Sequence, residues 1–421
     1  MLKNSYLNYI IKILFINVNF YSFSRIFNSF KLFTYVNNSI LRFVYFYIIM
    51  ILNLNNYKDF KETSLSGRYI TNNSIKKLKE LYTCSELGTS EGNNPINYLK
   101  LGTGPKKVLI WSQMHGNEST STKALFDTLS YFSNIDQEIL TSLSLHIIPI
   151  LNPDGASLYT RENINKVDLN RDAYSLTQKE SIILRELYDK INPDYCFNLH
   201  DQRSIYSVSN NKKPSVLSFL SPSADILKSE TKSRLVSMKI ISSINHSLDK
   251  LIPGCISRYK DDFNKNCVGD TFQSLNTPTL LFESGHYKGD YQRENTRKYM
   301  CYALILSLKS IAFNDYKNFD KENYYSIPEN SSNLTDIFIR NIKIDSNNEI
   351  YRTNVSIMFK EILDIESKKI IFNPYIKSKG DLPGMFGHLD LDFNEIETAF
   401  EFNKNTISKI MICVDKLRII Q

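Results

Sequence analysis

Lys106–Ser119, KKVLIWSQMHGNES, opens with an apolar run from Val108 to Trp111 and closes on His115 and Glu118, three residues apart. A short β-branched and aromatic run ending in polar residues reads as a buried strand. Three further stretches share the pattern: LSLHIIPILNPDG (143–155), DYCFNLHD (194–201) and TPTLLFESGH (277–286). Continuous apolar strands suit a parallel sheet covered on both faces. In open sheets of this kind ligands gather beyond the carboxyl ends of the strands, and three of the four runs deliver His115, His200 and Glu283 there.

HxxE alone is a frequent four-residue match, and its ordinary reading is a solvated His–Glu pair, so position carries the weight. A catalytic zinc takes three protein ligands of nitrogen and carboxylate type and keeps a fourth position for water. His115 and Glu118 lie close enough in the chain to reach one ion from a single loop, with His200 in FNLHD as the third candidate. Structural zinc sites close with four ligands and favour cysteine, and no cysteine falls in QMHGNES or FNLHD.

Together these residues resemble the zinc carboxypeptidase family, the carboxypeptidase A-like exopeptidases. The resemblance continues through NPDG (Asn152–Gly155), TREN with Arg161, VDLNRD with Asn170 and Arg171, and FESG around Glu283. It spans roughly residues 60 to 313 in the family's order. It implies that His115, Glu118 and His200 hold Zn²⁺, which lowers the pKa of bound water to about 7. Glu283 is then the general base, kept basic by its apolar strand end. Arg161 would face the scissile carbonyl as an oxyanion donor, and Asn170 with Arg171 would grip a free α-carboxylate, for which a guanidinium fork is suited. An ordinary salt bridge to Asp168 or Asp172 is the competing reading of Arg171. Tyr259 in SRYKDDF is the candidate for the family's substrate-covering tyrosine on loose spacing, against a surface tyrosine.

The implied activity is that of a zinc metallocarboxypeptidase cleaving the C-terminal peptide bond of peptides. Zinc-dependent deacylation of N-acyl amino acids is the alternative, because both substrates end in an α-carboxylate. A non-catalytic zinc-binding module is the second alternative, opposed by the presence of ligands, base and oxyanion arginine together.

The 421 residues exceed one average domain. Of the net charge of +7, five units come from Lys3, Lys12, Arg25, Lys31 and Arg42, leaving +2 for the chain from Met50 onward. Nucleic-acid binding therefore has no support. Six cysteines at 84, 196, 255, 267, 301 and 413 lack CxxC spacing and read as buried thiols. Residues 1–49 contain no Asp, Glu, Gly, Ala or Pro, and their apolar stretches are interrupted by charge. Their longest apolar candidate, FVYFYIIMIL, falls short of the roughly 20 residues of a membrane span. The head reads as translation upstream of a start at Met50. That implies a cytoplasmic protein, with a membrane-tethered or exported form as the alternative if the head is genuine.

Alternation of strands and helices predicts an α/β fold, a mostly parallel mixed sheet with helices on both faces. The expected organisation is an atypical head (1–49), a catalytic domain (50–313), a polar linker (314–331) and a small β-rich accessory domain (332–421) in which IFIRNIKID, RTNVSIMF and KIMICVDKL are strands. Residues 225–251 read as one long helix. His146 is expected as a packed strand residue, His246 on a polar helix face, His286 beside the base, and His388 in a turn.

Overall fold

The computed structural model describes residues 56–346, 349–401, 407–412 and 414. The expectations for residues 1–49 and for Cys413 lie outside the described residues. The described residues from Lys58 onward form one compact unit, which contains both of the larger sheets.

A hairpin of β1 (Thr83–Thr89) and β2 (Pro95–Leu101) leads into β3 (Lys106–Trp111), α1 (Thr120–Asn134), β4 (Leu143–Ile148), α2 (Pro153–Leu158), α3 (Lys179–Ile191) and β5 (Tyr195–Asp201). There follow β6 (Ser207–Val208), β7 (Leu217–Leu220), α4 (Lys232–Leu248), β8 (Ile256–Arg258), α5 (Val268–Ser274), β9 (Thr279–Ser284) and α6 (Glu294–Phe313). The first sheet has the order β1-β2-β4-β3-β5-β9-β7-β8. Its centre, β4-β3-β5-β9, is parallel throughout. Antiparallel pairing enters at β2–β4 and β7–β9.

All seven residues of β5 and all six of β4 are buried, as their near-continuous apolar sequences require. On one face Leu109, Trp111 and Cys196 pack against Leu184, Leu187 and Tyr188 of α3 and Val268 and Phe272 of α5. On the other, α1, α4 and α6 pack together against the sheet. The expected mixed α/β sheet with helices on both faces is the observed architecture. α4 starts at Lys232 rather than near Asp225, because Thr231 supplies the N-cap by accepting from Arg234 N at 3.3 Å.

Residues 314–331, expected as a polar linker, carry a 3-10 turn at Asp315–Asn318, α7 (Lys321–Tyr325) and β10 (Asn330–Ser331), which pairs with β6. The second sheet, β13-β12-β11-β14, is built from β11 (Leu334–Ser346), β12 (Glu349–Asp364), β13 (Lys369–Gly380) and β14 (Phe386–Asp392), with β15 (Phe400–Glu401) also paired to β11. Ile337, Ile339, Ile342, Ile344, Val355 and Ile357 fill its core. Residues 409–412 and 414, in the expected strand KIMICVDKL, are helical, as are 407 and 408 before it; Ile410 and Val414 pack into that core with a helical spacing of four. His388 lies in β14, not in a turn, with Nε2 2.7 Å from Ser204 O. His246 is exposed on α4, as expected.

Of the thiols described, Cys196 and Cys301 are buried, Cys255 and Cys267 are half-buried and Cys84 is exposed; all five are free. No helix among the described residues is long and apolar enough to cross a membrane.

His146 is buried in β4 with Nδ1 2.6 Å from the Tyr98 hydroxyl. Burial, together with Lys100 and Lys107, pushes its pKa down to about 4. The unfolded chain takes up this proton near the ordinary value of 6.5, so the contribution to stability is present above that pH and is lost as pH falls toward 4. Glutamine at this site keeps an acceptor for Tyr98 without titrating. Melting curves should therefore show wild type losing stability more steeply than His146→Gln between pH 6.5 and 4; parallel curves would contradict this.

Candidate metal centre

β3, β5 and β9 run parallel and adjacent, so their carboxyl ends open on one side of the sheet. His115 and Glu118 sit in the loop after β3, while His200 and Glu283 occupy paired positions near the ends of β5 and β9. His115 Nδ1 and His200 Nδ1 approach to 3.1 Å. Glu118 Oε1 lies 2.9 Å from His115 Nδ1, and Glu118 Oε2 lies 2.9 Å from His200 Nδ1. These three side chains form the group able to hold a metal among the described residues.

A proton cannot satisfy all these contacts. His115 Nε2 is 2.9 Å from the Asp168 carboxylate, which accepts only, so the imidazole proton is assigned there and Nδ1 turns its lone pair inward. His200 Nε2 is buried without a protein partner. Two imidazole nitrogens and a carboxylate thus converge at about 3 Å, close to the separation expected around an ion bound at roughly 2.0–2.1 Å. The donor set fits zinc.

The loop that presents His115 is held by backbone contact. A Cβ on Gly116 would lie 1.9 Å from Gly155 C, so the HGNE and NPDG segments touch where only glycine fits. Asn152 secures both, accepting from Gly155 N at 2.8 Å and donating from Nδ2 to Met114 O at 3.2 Å. Thr120 N and Ser121 N donate to the Asp201 carboxylate, tying the start of α1 to the residue after His200.

Arg161 reaches the same centre. Its Nη1 is 3.2 Å from Glu118 Oε1, and its Nε and Nη2 are 3.1 and 3.0 Å from Asp168 Oδ2. Asp168 thereby holds a ligand imidazole and the arginine at once. Against the opposing effect of burial, His115, Arg161 and the Asn170 N–H keep its carboxyl well below the ordinary range. Burial raises the Glu283 carboxyl well above its ordinary value, reinforced by Glu118 and Asp201 and opposed by Arg161 and Arg293.

Tyr259 is half-buried rather than on the surface. Burial raises its phenol pKa, and the charges of Glu283 and Glu118 add to the shift. Its ring meets Tyr206 edge-on with centroids 5.3 Å apart. Asn170 Oδ1 accepts from Val268 N at 3.0 Å. Arg171 is exposed, with Nη1 2.7 Å from Asn170 O and 3.0 Å from Cys267 Sγ. Neither salt bridge considered for it forms: Asp168 is taken by His115 and Arg161, and Asp172 accepts from the N–H groups of Thr177 and Gln178. Tyr206 and the supporting role of Asp168 escaped the sequence reading; for Asp168 the signal was its place in VDLNRD.

Residues 71–215 match the family model described as zinc carboxypeptidase. Over that third of its length the chain is similar to the zinc carboxypeptidase family. The match includes His115, Glu118, Arg161, Asn170, Arg171 and His200 and stops short of Tyr259 and Glu283. Carboxypeptidase E of Caenorhabditis elegans is 35% identical over 123 residues, 23% of this chain and 26% of the relative. Carboxypeptidase SOL1 of Arabidopsis thaliana is 29% identical over 128 residues, 26% of each chain. The aligned region thus spans about a quarter of these relatives. A metallo-carboxypeptidase structure from Burkholderia cenocepacia superposes with a TM-score of 0.43 at 17% identity, covering 56% of this chain and 65% of that one.

Asp168 is the outer partner that fixes the His115 tautomer. Losing such a partner costs about 10- to 100-fold in metal affinity. Asp168→Asn should weaken zinc by that factor in a competitive chelator titration, and unchanged affinity would remove Asp168 from the role. Gly116→Ala should weaken zinc as well, by forcing the ligand loop off Gly155; an alanine variant with native affinity would show that the two segments can part freely.

Proposed function

We propose that the protein is a zinc-dependent metallocarboxypeptidase that hydrolyses the C-terminal peptide bond of peptides. The convergence of His115, Glu118 and His200 beside a buried Glu283 carries this reading. His115, Glu118 and His200 would hold the zinc, which when bound supplies an acidified water and a Lewis acid for the scissile carbonyl.

The chain's own groups do the rest. Arg171, exposed on the turn after Asp168, takes the substrate's terminal carboxylate in its guanidinium fork, with Asn170 beside it. Arg161 turns its Nη1 toward the charge that develops on the carbonyl oxygen. Glu283, with a raised proton affinity, takes a proton as the water oxygen bonds to the carbonyl carbon; it returns that proton to the amine nitrogen as the C–N bond breaks. Tyr259 and Tyr206 cover the substrate on the Glu283 side.

Glu283→Gln should lower kcat by about 10²- to 10⁴-fold with zinc content and melting temperature retained; unchanged turnover would remove Glu283 from its role. Arg171→Ala should raise KM for peptides with a free C-terminus, and amidated peptides should be poor substrates of wild type. N-acyl amino acids, assayed beside N-blocked peptides with and without chelator, test the reaction class. Turnover of the acyl amino acids alone would make the protein a deacylase, and turnover of neither by the zinc-loaded protein would make it a binding module.

A further inference from the structure

The second sheet sends one carboxylate into the first domain. Glu361, on β12, has Oε1 3.0 Å from Nη1 of Arg68, and its Oε2 accepts from the Tyr159 hydroxyl. Arg68 is 5% exposed and Arg293 3%. Glu361 is the only carboxylate in an ion pair with Arg68 among the described residues. Burial opposes its ionisation, but Arg68 and Arg293 more than offset this and hold its pKa below the ordinary value.

Arg68 and Tyr159, which Glu361 contacts, and Arg293, whose charge acts on it, each lead by a short covalent or hydrogen-bonded route to the metal centre. Tyr159 precedes Arg161 by two residues and has φ +57°, a conformation costly for a residue with a Cβ. That left-handed turn ends α2 and redirects the chain toward Arg161; Asn117 N donates to the intervening Thr160 O at 3.1 Å. Arg68 offers its carbonyl to Ser119 Oγ at 2.6 Å, next to the ligand Glu118. Arg293 donates to Ser284 O and Gln202 O at 2.6 and 2.7 Å, clamping the residue after Glu283 and the second residue after His200.

We infer that Glu361 is a positioning residue for the reaction. By holding the Tyr159 hydroxyl and balancing the buried arginines, it keeps Arg161 aimed at the substrate carbonyl, so the second sheet completes the active centre. This rests on the carboxypeptidase reading for the role of Arg161, but not for the claim that Glu361 orders the 159–161 segment. A hydrogen bond to an ionised acceptor is stronger than one to a neutral group. Glutamine at 361 keeps the size while removing the charge that faces Tyr159 and Arg68.

The test uses the full zinc-loaded chain and four variants: Glu361→Gln, Tyr159→Phe, their double, and Ile342→Ala in the core of the second sheet as a purely destabilising control. The single substitutions at 361 and 159 should each lower kcat by roughly ten- to a hundredfold, as expected when a catalytic group is misplaced by a fraction of an ångström to about 1 Å, with KM and zinc content unchanged. The double variant should be no worse than the poorer single, because both break one contact. Ile342→Ala should lower the melting temperature and keep kcat. Amide hydrogen exchange across residues 159–168 should quicken at least tenfold in Glu361→Gln and not in Ile342→Ala. That readout needs no substrate, so it tests the ordering role even if peptides prove not to be substrates. Native exchange in Glu361→Gln, a kcat within twofold of wild type, or an equal kcat loss in Ile342→Ala would each overturn the inference.

Discussion

The parallel pairing of β5 with β9, which sets His200 against Glu283, is the constraint on which the rest of the centre depends. A slip of one residue in either strand would turn its side chain to the opposite face of the sheet. Apolar packing resists the slip: Phe197 and Phe282 meet with ring centroids 4.9 Å apart, and Phe219 closes on Phe282 at 5.6 Å. The register that buries these rings also brings a ligand and a carboxylate together at the sheet's edge. Burying carboxylates without partners is costly, and here the two imidazoles and Arg161 offset that cost for Glu118.

Side chains alone would not place His115, because a loop can wander. The ligand loop is made stiff by backbone meeting backbone at Gly116 and Gly155, with the Asn152 amide bonded to both segments. NPDG is therefore a clamp on HGNE. From the ends of α1 and β5, Asp201 closes the remaining side by accepting from Thr120 and Ser121.

Legibility in the sequence followed the range of the determining interaction. The strands β3, β4, β5 and β9 were readable because their apolar runs record burial on both faces, and His115, Glu118, His200 and Glu283 were readable as their polar ends. The β1–β2 hairpin was not: residues 83–86 of β1 are exposed, so the hydrophobic pattern that marks a strand is weak there. KIMICVDKL misled because alternating apolar residues over a short span fit a strand and a helix alike, and the packing of Ile410 and Val414 decides between them. Residues 314–331 are polar yet ordered, because Tyr316, Tyr324 and Ile327 are buried and Asp320 and Asn323 build a reciprocal cap on α7. Glu361 was invisible for a different reason: its partners Arg68 and Tyr159 lie 293 and 202 positions away, and nothing local marks a strand glutamate as the partner of a distant loop arginine and a helix-end tyrosine.

That contact changes how the two sheets should be regarded. Arg68 and Arg293 are both buried, and a buried guanidinium is tolerated only when counter-charge or hydrogen bonds offset its desolvation. Arg293 spends its Nη donors on carbonyls, and Arg68 draws its paired carboxylate from β12. Aromatic contacts reinforce the junction: Tyr291 packs on Phe359 and Phe372 of the second sheet with centroids 5.1 and 5.4 Å apart, while His286 meets His388 at 4.3 Å. Without the second sheet, Arg68 would be buried without its paired carboxylate, close behind the His115–Glu118–His200 group. The second sheet therefore supplies part of the electrostatic balance around the first, although the two sheets are separate in their strand pairing.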